Sequence, residues 1–474
     1  DHVARLLTLA GTPEARARTD AAAVMRFETA LARAALDRVA RRDPERVYHK
    51  QTPAEVQALT PRFNWARYFR GIAAPPITAV NVSEPEFFTA LNTLLGSTPI
   101  DDLRAYLRWQ LVHANAFLLS RAFVDEHFRF YSATLQGVQE QRPRWKRCVS
   151  YVDGDLGEAL GEAFVRQAFG PQAKADMLAM VADVMNALER DINTLEWMTP
   201  ATRQEALTKL RATANKVGYP DKWRDYTALS IERGDAVGNS HRANTFAHHR
   251  ELQKIGQPVD KSEWRMTPPT VNAYYSPLEN NINFPAGILQ PPFYAAGRDA
   301  ALNYGGAGAV IGHELTHGFD DQGRQFDAAG NLRDWWTDAD AKAYDERSRC
   351  FVDQYAGFTA IDDVTLNGEL TLGENTADNG GLRLALMAYL GSAAARNAEV
   401  IDGFTPEQRV FLGWAQVWCE NRRPAYERLQ AQTNPHSPGR YRVNGVMTNM
   451  PEFQKAFNCG PTAAMVKSAA CRVW

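Results

Sequence analysis

The sequence predicts a mainly α-helical protein with a small amount of sheet confined to its C-terminal half. Three observations carry this. Apolar residues recur at helical spacing through most of residues 1–250. After about residue 255 the texture changes to a stretch crowded with Pro, Asn and aromatic residues. Helical texture then returns around a glycine-rich segment and in "LGENTADNGGLRLALMAYLGSAAA".

In order, "DAAAVMRFETALARAALDRVARR" (Asp20 to Arg42) is Ala-rich and predicts a helix. "PEFFTALNTLLGS" and "DDLRAYLRWQLVHANAFLLSRAFVDEHFRFYSATL" continue the pattern, with Asp101 and Asp102 suited to a helix N-terminus. "LGEALGEAFVRQAFG", "KADMLAMVADVMNALERDINTLEWM" and "PATRQEALTKLRATANKVG" follow. In the last, Pro200 suits the start and Gly218 the end of a helix. "TVNAYYS" and "NNINFPAG" read as short strands bounded by turn residues. "NYGGAGAVIGHELTHGF" then reads as a helix despite its glycines, which implies close packing or a functional constraint. This divides the chain into a mainly helical region, 1–250, and a second region, 251–474.

The chain has 474 residues, 45% hydrophobic and 23% charged, with a net charge of -2. That is enough chain for a large buried core and gives no electrostatic footprint for nucleic acid or an anionic membrane. No apolar run is long enough to span a bilayer. The sequence begins "DHVARLLTLAG", with neither an initiator Met nor a signal pattern. Either a leader has been removed or the sequence starts inside a longer protein.

The segment with most chemistry is "AVIGHELTHGFDDQG", Ala309 to Gly323, which contains H-E-x-x-H. His313 and His317, four apart, share one face of a helix and can grip one metal ion. Glu314 lies one step round, within reach of a metal-activated water. A third protein ligand is needed, and Glu374 in "LGENTADNGG" is the candidate. Asp378, four residues on, shares its helical face and is placed to accept the remaining N–H of His313. Alone, E-x-x-x-D describes many solvated acidic faces; beside H-E-x-x-H and flanked by Gly373, Gly380 and Gly381 it reads as part of a metal site. Two His and one Glu make a catalytic rather than a structural zinc site, with one Zn2+ per chain.

These motifs, with "VNAYYS", "FPAGILQPPF", "DWWT", "AQVWC", "HSPGRYRVNG" and the terminal "CRVW", resemble the neprilysin family of zinc metallopeptidases, gluzincins that include endothelin-converting-enzyme-like proteins. They stand in the family's order from about residue 271 onward. "RWKRCVSYVDGDLGEALGEAFV" upstream is similar in character. The resemblance implies a two-lobed fold with a thermolysin-like catalytic domain. It implies a zinc-dependent endopeptidase of short peptides that cuts on the amino side of hydrophobic residues. Glu314 would be the general base, His436 the oxyanion donor and Arg442 the group that binds a substrate carbonyl. Asn272 and Ala273 would align an extended peptide. Ile288, Phe293, Val310, Val417 and Trp418 would line the pocket beyond the cut. Ala309 departs from the pattern, since animal neprilysin carries a bulkier Met there; the pocket is expected to be wider. The alternative is a catalytically silent peptide-binding protein, or a fragment, on the same fold.

Five cysteines, an odd number, leave at least one unpaired. The resemblance pairs Cys350 with Cys471 and would give Cys148, Cys419 and Cys459 partners in an upstream segment. That segment is not in this sequence, so the expectation is a fragment or processed chain with three orphaned cysteines. The alternative is a lineage that keeps reduced thiols. Cysteine use and the resemblance favour an extracytoplasmic location: periplasm, cell exterior or an ectodomain. Abundant Ala and Arg hint at a bacterial source.

Overall fold

The structure, a computed structural model, describes residues 1–396 and 399–474. It is mainly helical with three small sheets among the described residues. Two compact units are formed, neither continuous in sequence. One comprises Asp1–Asp155, Asp225–Val259 and Arg423–Tyr426; the other Leu156–Arg224, Asp260–Arg422 and Glu427–Trp474. The boundary near residue 250 read from the sequence falls inside the helix Ala236–Leu252, within the first unit.

In the first unit, helices His2–Leu9, Glu14–Ala34 and Ile100–Asn115 surround a small core of Leu6, Leu7, Val24 and Trp109. The single helix expected over 101–135 is interrupted. It stops at Asn115 and restarts at Arg121 after Ser120, whose extended backbone is that of an N-cap position. A π-helical stretch, Phe128–Thr134, follows.

The second unit holds the large core and every residue of the H-E-x-x-H constellation. Its sheet has three strands: Ala214–Gly218 parallel and Tyr274–Ser276 antiparallel to a central, fully buried Asn281–Pro285. The first strand corrects the sequence reading, in which 200–218 is one helix. The helix ends at Arg211, and Gly218 closes a strand with φ of +83°. Pairing with the buried central strand satisfies backbone groups that a longer helix would have left open, and tertiary context overrides helix propensity here.

Two helices position the site. Ala309–His317 is buried along nearly its whole length and continues from a π-helical turn, Tyr304–Gly308. Leu372–Gly391 crosses it. At the crossing Gly312 faces Gly381: a Cβ on Gly312 would lie 2.6 Å from the Gly381 carbonyl oxygen, and one on Gly381 2.6 Å from the Ala309 carbonyl oxygen. Only paired glycines let the backbones approach so closely. A disulfide, Cys350–Cys471, ties the helix Asp338–Ala356 to the C-terminal segment. No helix among the described residues is long and apolar enough to cross a membrane.

Candidate metal centre

The glycine crossing sets the last turns of the first helix against the first turn of the second. His313 and His317 thereby face Glu374. The Nε2 atoms of His313 and His317 are 3.0 Å apart and lie 3.3 Å and 3.5 Å from Glu374 Oε2. Among the described residues, these three form the one His/Cys/Asp/Glu group placed to hold a metal ion.

The opposite ring atoms fix the tautomers. His313 Nδ1 meets Asp378 Oδ1 at 2.8 Å, and His317 Nδ1 meets Asp320 Oδ2 at 2.7 Å. A carboxylate only accepts, so each Nδ1 carries the proton and each Nε2 turns a lone pair toward the cluster. Glu374 Oε2, buried, faces the ring nitrogens of His313, His317 and His436. Two imidazole lone pairs and a buried carboxylate oxygen converging at these distances repel one another unless a cation lies among them. The donor set, two N and one O, is that of a catalytic zinc site.

Asp378 is fully buried and serves two groups. Arg442 Nε and a terminal guanidinium nitrogen donate to its two oxygens at 2.7 Å and 2.6 Å. Burial raises the pKa of Asp378, but the Arg442 guanidinium and the His313 bond outweigh it and hold the carboxyl below its ordinary range. Arg442 in turn lies 3.7 Å from the centre of the Trp418 ring. Glu314, also buried, has its pKa raised, chiefly by desolvation.

His436 sits on the loop before the helix Gly439–Met447, with Nε2 3.1 Å from Glu374 Oε2. Its backbone N–H and Nδ1 both meet Asn434 Oδ1, at 2.8 Å and 2.9 Å, which turns Nε2 toward the cluster. Asn272 is exposed and Ala273 buried, just before the edge strand Tyr274–Ser276. Ile288 and Val310 are buried, and Phe293, Val417 and Trp418 half-buried, all in the large core. The structure therefore brings together His313, His317, Glu374, Asp378, His436, Arg442 and Trp418 by direct contacts. Asn272 and Ala273 lie outside that contact set. Cys148 and Cys419 are exposed and Cys459 half-buried, all three as free thiols.

Sequence reasoning missed Asp320 and Asn434. Asp320 had a signal: it stands three residues after His317, where the helix ends and a carboxylate can turn back to the ring. Asn434, two residues before His436, is an ordinary turn residue in sequence.

Two models described as peptidase family M13 match residues 272–473 and 1–220. Human endothelin-converting enzyme 1 is 39% identical over 98% of this chain. This chain spans 62% of that relative's length. An endothelin-converting enzyme homolog of Locusta migratoria is 38% identical over the whole chain, which covers 68% of it. Among solved structures, an inhibitor complex of a zinc metalloprotease of Mycobacterium tuberculosis superimposes with a TM-score of 0.96 and 42% identity, over 100% of this chain and 73% of that one. PepO of Lactobacillus rhamnosis gives 0.91 and 29%, over 98% and 73%.

Proposed function

Because the chain belongs to peptidase family M13, we propose that it is a zinc-dependent endopeptidase of short peptides, cutting on the amino side of hydrophobic residues. The observation that carries this is the convergence of His313, His317 and Glu374 beside a buried Glu314. Those three residues would hold one zinc ion, which supplies Lewis acidity to make a water acidic and to polarise a carbonyl.

The chain's own residues do the rest. The Glu314 carboxylate accepts a proton from the attacking water and delivers it to the leaving amine. Its desolvated environment favours that exchange, because a raised pKa brings the proton's two sites closer in affinity. With its Nδ1–H held by the Asn434 Oδ1 acceptor, the His436 ring donates from Nε2 to the oxyanion as the imidazolium, with both ring nitrogens protonated. Asp378 holds the His313 ring and restrains Arg442, whose guanidinium binds a substrate carbonyl. Asn272 and Ala273, at the start of an edge strand, offer main-chain hydrogen bonds to an extended peptide. Ile288, Phe293, Val310, Val417 and Trp418 supply the apolar pocket. The Cys350–Cys471 bond supports an extracytoplasmic location, where disulfides persist.

The test is to incubate the purified chain with a mixture of short peptides and map the cuts by mass spectrometry, with chelator and after zinc restoration. Chelator-sensitive cuts before hydrophobic residues are expected. Zinc binding with no cut under any condition would refute the catalytic reading and leave the silent peptide-binding alternative.

A further inference from the structure

Lys209 is 1% exposed, on the helix Pro200–Arg211, with no carboxylate bonded to it. Its Nζ donates instead to three main-chain carbonyls: Gly318 at 2.7 Å, Gly323 at 2.6 Å and Phe326 at 2.6 Å. The rings of Tyr275, Phe319 and Trp335 stand 5.8, 5.5 and 5.9 Å from the nitrogen. An ammonium has three donors, and here each has one acceptor inside an aromatic cage.

The three carbonyls belong to one piece of chain. Gly318 ends the helix that carries His313 and His317, so its carbonyl is among the orphaned acceptors of a helix C-terminus. Gly323 closes the turn that follows. A Cβ on it would lie 1.8 Å from the His317 carbonyl oxygen, so the turn folds directly onto the ligand's backbone. Inside that turn Asp320 takes the N–H groups of Gln322 (2.9 Å) and Gly323 (2.7 Å) on Oδ1 and His317 on Oδ2. The ammonium thus fixes both ends of the turn, and the turn fixes the carboxylate that sets the His317 ring.

We propose that Lys209 is a positioning residue for the metal centre, acting through the 318–326 turn and Asp320 on His317. The proposal rests on the zinc reading above. Lys209 touches neither ligand nor substrate. Replacing its ammonium leaves three buried carbonyls without a common donor, so the turn relaxes and Asp320 no longer holds the ring in one orientation. Removing a carboxylate that holds a ligating imidazole changes metal affinity by about 10–100-fold, and Lys209 acts through such a carboxylate, Asp320.

The experiment measures zinc affinity of the full chain by competition with a chromophoric chelator. It compares wild type, Lys209→Met, Asp320→Asn and the double variant. Leu210→Ala, a buried apolar truncation on the same helix, is the control for general destabilisation. Lys209→Met is expected to weaken zinc binding about 10-fold. Asp320→Asn should weaken it as much or more, and the double variant should be no weaker than Asp320→Asn. Leu210→Ala should lower stability and leave zinc affinity alone. Unchanged affinity in folded Lys209→Met, or additive losses in the double variant, would overturn the proposal. Should Met prevent folding, Lys209→Gln keeps two N–H donors without charge and carries the same comparison. Failure of the wild type itself to bind zinc would remove the metal reading and this inference together; binding by wild type with no effect of Lys209 removes only the inference.

Discussion

Asp378 offers the sharpest test, because one carboxylate performs two separable tasks. It holds Nδ1 of His313 at 2.8 Å and pairs with Arg442 through two bonds of 2.6 Å and 2.7 Å. Both Asp378 and Arg442 are buried, at 0% and 6% exposure. Asp378→Asn removes the negative charge and leaves the guanidinium buried without its counter-ion. Breaking a buried pair from one side costs about 3–5 kcal/mol of folding stability. Weakened orientation of His313 costs a further 10–100-fold in zinc affinity, about 1.4–2.7 kcal/mol of binding. The two losses are separated by adding Arg442→Met. The double variant has no orphaned charge, so stability should return to within about 1–2 kcal/mol of wild type. Zinc affinity should stay low, because the amide still replaces the carboxylate at His313. Denaturant unfolding of the metal-free chain reads the first quantity and a chelator competition reads the second. A double variant as unstable as Asp378→Asn, or one that regains zinc affinity, would refute this division of labour.

Four further outcomes are expected. Glu314→Gln should lower turnover by about 10²–10⁴-fold while zinc affinity changes little, read by peptide cleavage and chelator competition. Ala309→Met should reduce cleavage before Phe more than before Ala, since Ala309 is fully buried beside Val310 and the added volume must push neighbouring side chains toward the proposed pocket; equal effects in a competition assay would sink the idea. Replacing Cys350 and Cys471 by Ser should cost about 2–5 kcal/mol, because the bond closes a loop spanning 121 residues of separation, and denaturation midpoints measure it. Asp340 should contribute to acid stability. Burial raises its pKa, but bonds from Thr199, Thr202 and Thr337 outweigh burial and hold it below the ordinary 3.8. A folded pKa below the unfolded one means the stabilisation is complete above the unfolded value and disappears as pH falls through the folded one. Asp340→Asn should therefore cost stability at neutral pH and show a flatter acid limb than wild type in unfolding followed by circular dichroism.

The helical character of the fold was legible because long amphipathic segments repeat their apolar residues at a fixed period. The segment 85–97 is helical where periodicity places it, and the helix read over 174–198 spans 171–194. Failures fall where a distant partner decides. Residues 214–218 carry no strong strand pattern, yet they pair with Asn281–Pro285, whose backbone groups need a neighbour. Nothing within the 200–218 window reports that demand. Periodicity alone does not show the interleaving of the two units, which only the family resemblance implies: residues 156–224 look like the helices before them but pack with segments far later in the chain.

The site shows the same limit at finer scale. His313, His317 and Glu374 could be picked out because their chemistry forces a spacing on a helix, and a spacing survives in sequence. The glycines at 312 and 381 also left a trace, since a helix tolerates them only for a reason, and the reason is backbone contact at the crossing. Asp320 left a weaker trace, one carboxylate just past the helix end. Lys209 left none: a lysine on an amphipathic helix is ordinarily solvated, and its burial depends on three carbonyls more than a hundred residues downstream. Sequence therefore reveals the groups whose mutual geometry is set locally and conceals those whose partners are main-chain atoms, which every residue possesses. If the metal centre is supported as argued, its sensitivity to mutation should extend to residues that no motif contains. The Lys209 and Asp320 variants should then resemble the Asp378 variant in zinc affinity while differing in stability, because only Asp378 also neutralises a buried arginine.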